Sequence, residues 1–146
     1  MKRSLEIYPQ YLEAYSILGV IYYLQENFDS AYYFQKKGHD LSPNNGDVNY
    51  NLGKTLDKLK RYDEAIIVLN KAVDSDPKNE GAYYNLALSY TNKGDLEKGY
   101  LYFSKVIELN PKRADVFHYV DLILKAKGDT LKAKEFLNRS LELGFK

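Results

Sequence analysis

The chain has 146 residues, 45% of them hydrophobic and 28% charged, which suits one domain or one short stack of repeats and excludes a disordered chain. Lys and Arg number 21 against 20 Asp and Glu, and the resulting +1 leaves no electrostatic footprint for nucleic acid or anionic lipid. With no cysteine, disulfide staples, thiolate zinc sites and cysteine nucleophiles are excluded together.

The N-terminal stretch "MKRSLEIYPQYLEAY" carries basic residues but lacks the apolar core and small-residue cleavage site of a signal peptide. No apolar run approaches the ~18 residues of a membrane span. A cytoplasmic location is the expectation compatible with these features. Residues 4–10, "SLEIYPQ", read like residues 106–112, "VIELNPK", and so like the tail of a second helix; residues 1–11 are expected to close a preceding repeat.

From Leu12 onward, apolar residues recur at helical spacing through Tyr15, Leu18, Gly19 and Tyr22. "QENFD" breaks the pattern, and Asn27 stands where an N-cap would open a second helix containing Ala31 and running to Pro43. The residue before a proline is pushed out of helical geometry, so that helix stops there. The same arrangement then repeats. All four prolines, Pro9, Pro43, Pro77 and Pro111, are 34 residues apart, a period long enough to be a structural unit. Starting each unit three residues after its proline gives 12–45, 46–79, 80–113 and 114–146. In that register the eighth residue is Gly19, Gly53, Ala87 and Asp121, and the twentieth is Ala31, Ala65, Gly99 and Ala133. Small side chains at these places let two helices approach closely. Asp95 and Asp129 repeat the N-cap of Asn27, whereas Arg61 is a weaker cap. Helices of about 14 residues are marginal alone, so stability must come from stacking neighbours.

Tyr15, Leu18, Gly19, Tyr22, Ala31 and Pro43, repeated as Tyr83, Leu86, Ala87, Tyr90, Phe103 and Pro111, resemble the signature of the tetratricopeptide repeat family over essentially the whole chain. The resemblance implies an all-α fold, a right-handed α-solenoid of antiparallel helix pairs. Three residues depart from the pattern: Asn49 replaces an aromatic, Gln35 an apolar residue and Asp121 a small one. The fourth unit ends one residue short, with Phe145 at the proline place, so both ends are expected to expose apolar surface and to meet either further repeats or another subunit.

Catalytic patterns are weak. His39 and His118 fall in different units and on different helix types, which does not make a metal pair. "GKT" at Gly53 to Thr55 lacks the upstream glycine of a phosphate-binding loop, Val48 standing in its place. The sequon at Asn138 sits within a helix, and Asp63 and Glu64 open one, where carboxylates favour the helix dipole. No nucleophile–base constellation can be assembled, and neither an enzyme activity nor a cofactor is implied.

The resemblance further implies a concave groove lined by first helices, which binds protein or peptide segments. Its inward places bring Val20 and Tyr23 from the first unit, and Tyr50, Asn51 and Lys54 from the second. The third supplies Tyr84, Asn85 and Leu88, and the fourth His118 and Tyr119. Asn51 and Asn85 share the sixth place, resembling the asparagine ladder in the array of O-linked N-acetylglucosamine transferase, where amides hold a peptide backbone. The plainer alternative is an asparagine tolerated on a solvated face. For Tyr50 and Tyr84 the alternative is packing between adjacent first helices. The clamp for acidic chaperone tails matches only one residue of five in either frame, Asn51 or Asn85, and lacks its cations. The strict 34-residue period and the charge also disfavour RNA binding of the 35-residue-repeat kind. A non-catalytic interaction module is therefore expected; an end-to-end self-assembling spacer and the recruitment array of a larger enzyme remain open beside it.

Overall fold

The computed structural model describes residues 9–145, which form eight α-helices and, among the described residues, no strand. In chain order they are α1 (Pro9–Leu24), α2 (Phe28–Leu41), α3 (Gly46–Lys58), α4 (Tyr62–Ser75), α5 (Glu80–Lys93), α6 (Leu96–Leu109), α7 (Ala114–Ala126) and α8 (Thr130–Glu142). The chain divides into two compact units, Met1–Ala82 and Tyr83–Lys146. Of the expected repeat tail, residues 1–8 lie outside the described residues. Helix α1 opens at Pro9, ahead of Leu12; proline is tolerated in a first turn, where its missing N–H would have no partner in the helix.

The 34-residue period reappears in the backbone. Glu26, Lys60, Gly94 and Gly128 hold left-handed φ angles of 59°, 61°, 101° and 87°, each at the turn between the two helices of a pair. The following N–H then reaches back to close the first helix: Asn27 to Tyr22 O at 2.9 Å, Arg61 to Leu56 O at 2.8 Å, Asp95 to Tyr90 O at 2.8 Å and Asp129 to Leu124 O at 2.9 Å. This satisfies carbonyls that a helix end leaves open. The second helices start on side-chain caps, with Asn27 accepting from Ser30 N–H, Asp95 from Lys98 N–H and Asp129 from Lys132 N–H. Arg61 makes no such bond. Its guanidinium instead pairs with Glu64, donates to the Tyr32 hydroxyl at 3.3 Å and lies 4.4 Å from that ring's centre.

Each unit has its own core. In the first, Ala31, Leu52, Leu56, Ala65 and Leu69 are buried; in the second, Leu86, Ala87, Phe103, Val106, Val120 and Ala133. Aromatic rings repeat one arrangement: Tyr15 and Tyr22 flank Phe34 as Tyr83 and Tyr90 flank Tyr102, and the closer pair in each stacks at 5.5 Å with planes 3° apart.

The departures from the repeat pattern have separate explanations. Asn49 is fully buried, and its Nδ2 donates to Pro43 O at 2.9 Å and Asn45 O at 3.0 Å, tying α3 to the loop before it. Asp121 is buried and accepts from Lys125 Nζ at 3.1 Å. The α7–α8 pair still closes, since Ala133 is fully buried and Ser140 Oγ donates to Ala114 O at 3.0 Å.

Candidate functional site

In the first unit the helical spacing of Tyr50, Asn51 and Lys54 puts them on one side of α3, facing Val20 and Tyr23 of α1. Lys54 Nζ lies 4.7 Å from the centre of the Tyr23 ring and 5.2 Å from that of Tyr50, held by the negative faces of both. Burial, followed by the charge of Lys58, pushes the Lys54 ammonium below its ordinary pKa. Burial also raises the Tyr23 hydroxyl, with Tyr50 and the carboxylate of Asp57 adding to the effect. Tyr50 keeps its position because Gly81 has no side chain; a Cβ there would overlap the Tyr50 hydroxyl.

Beside this cluster Val20, Tyr23, Leu24, Gln35, Asn51 and Lys54 line a cavity of about 50 Å³. A smaller one of about 10 Å³ lies between Ser16, Gln35, Gly38, Val48 and Asn51. Gln35 and Asn51 border both. Val20 is 37% and Leu24 75% exposed, so the rim of the larger cavity presents apolar surface to solvent.

The second unit spends its aromatics differently. Tyr84 meets Phe103 and Tyr119 edge-on at 5.9 and 6.1 Å, while Phe103 and Tyr119 stack at 5.2 Å. The Arg113 guanidinium covers the Tyr84 ring at 4.4 Å and holds Asp115 through two bonds of 2.6 and 3.1 Å. Burial, then a hydrogen bond with the Tyr119 hydroxyl, raises the Tyr84 hydroxyl well above its ordinary pKa, Arg113 opposing in part. Tyr84, Leu88 and Tyr119 pack against the unit's hydrophobic core, and His118 stacks on Phe145 at 4.3 Å. Asn85 is half-buried on the same helix.

All ten residues expected on the inward face are thus wholly or partly accessible, five in each unit. Val20, Tyr23, Asn51 and Lys54 converge on one cavity, whereas Tyr84 and Tyr119 are engaged in packing. Sequence reasoning noticed Gln35 only as a departure and missed Arg113. Both had a signal: an amide at an otherwise apolar place, and a cation just ahead of a helix rich in aromatics. Among the described residues no cluster of three His, Cys, Asp or Glu side chains is placed to hold a metal, and no helix is long and apolar enough to cross a membrane.

Paired helices in series, built on small buried residues and a repeated turn, define a helical-repeat interaction scaffold, an all-α solenoid. The chain belongs to the tetratricopeptide repeat family, whose profiles match residues 23–88 and 81–113. Among solved structures it is similar to MamA from Desulfovibrio magneticus RS-1, residues 41 to the end, with 28% identity and a TM-score of 0.86 over 90% of this chain and 75% of that one. A second MamA crystal structure gives 25% identity and a TM-score of 0.88, covering 97% and 83% of the two chains. YrrB, described as a tetratricopeptide repeat protein with an unusual peptide-binding site, gives 26% identity and a TM-score of 0.84, covering 98% and 74%. No curated protein matches the chain.

Proposed function

We propose that the chain is a non-catalytic module that binds a segment of a partner protein on the face formed by its first helices, with the repeats divided at 12, 46, 80 and 114. The observation that carries this reading is the cavity between α1 and α3, where apolar Val20 and Leu24 meet Tyr23, Asn51 and the half-buried Lys54. Apolar and aromatic surface supplies affinity in such a site, and a few fixed polar groups supply orientation. YrrB lends support, being a tetratricopeptide repeat protein with a peptide-binding site. The second unit, taken by itself, offers Asn85 and Leu88 on its own first helix, with Tyr84 and Tyr119 as a rigid aromatic wall rather than mobile anchors. The partner is a protein in the cytoplasm, neither a nucleic acid nor a lipid surface, in keeping with the balanced charge and the absence of cysteine.

A peptide selected on the immobilised chain from a random dodecapeptide display library tests this. Asn51→Ala combined with Asn85→Ala should weaken that peptide severalfold with helicity and melting temperature preserved. Unchanged affinity would remove the amides from the interface.

A second reading, end-to-end self-association, draws on α1, where Ile17, Ile21 and Leu24 stand 52%, 43% and 75% exposed. Sedimentation over a hundredfold range of concentration decides it: a strict monomer rejects it.

A further inference from the structure

Gln35 occupies a place that the repeat reserves for an apolar side chain. Its counterpart in the next repeat, Leu69, is fully buried and lies over Gly53; Gln35 lies over Gly19 in the same way, its Cγ within 2.5 Å of where a Cβ of residue 19 would be. The amide is therefore built into the helix crossing. Only 4% of Gln35 is exposed, and its Oε1 is shielded without a hydrogen-bond partner. Buried amides nearly always find partners, so one that does not calls for an explanation.

The explanation lies beside it. Two cavities of the first unit, of about 10 and about 50 Å³, border both Gln35 and Asn51. We propose that Gln35 and Asn51 form a subsite that receives one peptide group of the bound segment, Gln35 Oε1 accepting its N–H. The inference rests on the groove reading above and adds a residue of the second helix, α2, to a face otherwise formed by first helices. The last torsion of a glutamine is broad and roughly two-fold, so the amide can turn its oxygen to the cavity without leaving its place over Gly19. The Lys54 cation on the same cavity repels a charged donor, which makes the incoming group a neutral N–H rather than a lysine or arginine head. A space of about 50 Å³ holds several atoms, enough for a backbone amide with a small side chain. Val20 and Leu24 then cover the neighbouring apolar part of the segment.

Two small amides test the subsite directly. N-methylacetamide carries the peptide N–H; N,N-dimethylacetamide has the same carbonyl and no donor. Each is titrated into the ¹⁵N-labelled chain, with the Gln35 side-chain signal assigned by its disappearance in Gln35→Met. N-methylacetamide should give saturable shifts at the Gln35 and Asn51 side-chain amides, at least threefold larger than those from the dimethyl compound. Gln35→Met should abolish the response at Asn51. Circular dichroism checks the fold of that variant, and Gln35→Leu, the shape already present at Leu69, replaces it should it unfold. Equal responses to the two compounds, no response to either, or a response at Asn51 that survives both substitutions overturns the subsite. The display-selected peptide separates this from the groove reading. Affinity lost in Asn51→Ala but retained in Gln35→Met overturns the subsite and leaves the groove. A library that yields no peptide for the chain overturns the groove, and the N-methylacetamide titration then decides Gln35 and Asn51 by itself.

Discussion

A buried amide without a partner should make the protein less stable than its own repeat pattern allows, and Gln35→Leu measures by how much. The amide oxygen is buried and meets no hydrogen-bond partner in the protein. Such an unsatisfied group costs about 1–3 kcal/mol, while replacing it by an apolar side chain of similar shape is neutral or stabilising. Leucine has a precedent at Leu69, which packs over Gly53 in the geometry that Gln35 has over Gly19. Gln35→Leu is therefore expected to raise stability by about 1–2 kcal/mol, allowing for partial hydration of the amide through the cavities beside it.

Urea denaturation followed by circular dichroism is the assay. The midpoint should move up with the slope unchanged, because the surface exposed on unfolding hardly changes. In a melt the gain corresponds to roughly 3–6 °C for a chain of this length. Repeat arrays depart from two-state behaviour, so the gain belongs to the transition that unfolds α1–α4. A lower midpoint would refute the reasoning, since it would mean that the amide is satisfied in solution and contributes to the fold.

Three other expectations follow from local geometry. Gly94→Ala should destabilise by about 1 kcal/mol in thermal melts: nothing lies near its would-be Cβ, so the cost is that of a left-handed backbone alone. An unchanged melting temperature would show that the turn can relax. Asn49→Ala deletes two hydrogen bonds to the loop carbonyls of Pro43 and Asn45 and should cost about 1–3 kcal/mol in urea, with no effect on peptide affinity. For His39, burial, then Lys36 and Lys71, lowers the imidazole pKa below its ordinary value, Asp40 opposing. The unfolded chain then binds more protons than the folded one below about pH 6.5, so the contribution of His39 to stability is lost as pH falls from there through the lowered folded value. A ring-proton titration by NMR with a midpoint at or above 6.5 would contradict this.

The repeat was legible in the sequence because each of its parts has a local cause. Proline stops a helix, Asn27, Asp95 and Asp129 start one, and small residues at the eighth and twentieth places permit a close crossing. Each of these acts over a few residues, so a 34-residue pattern exposes them without any knowledge of packing. The turn geometry was less visible: Gly94 and Gly128 announce a left-handed backbone, but Glu26 and Lys60 adopt it without that signal. Here the period is the better guide than the residue. The fate of the tyrosines was not legible. Tyr50 and Tyr84 hold equivalent places, yet Tyr50 flanks a half-buried lysine and Tyr84 stacks into a core through Phe103, Tyr119 and Arg113. That difference depends partly on Arg113 and Tyr119, 29 and 35 positions beyond Tyr84 and so outside the reach of a pattern read within one helix.

The amides of the first unit show why a polar residue on a packed helix face is by itself a poor marker of function. Asn49 and Gln35 both replace apolar or aromatic residues, and both are at least nine-tenths buried. Asn49 is fixed by its two donor hydrogens, which close the loop ahead of α3, although its Oδ1, like Gln35 Oε1, is buried without a partner in the protein. What sets Gln35 apart is its place: two cavities beside it also touch Asn51, and neither is lined by Asn49. Selection for stability alone would favour leucine at residue 35, as at residue 69. An amide in a place that suits leucine, with an oxygen unpartnered in the protein and a cavity beside it, is what the proposed subsite explains.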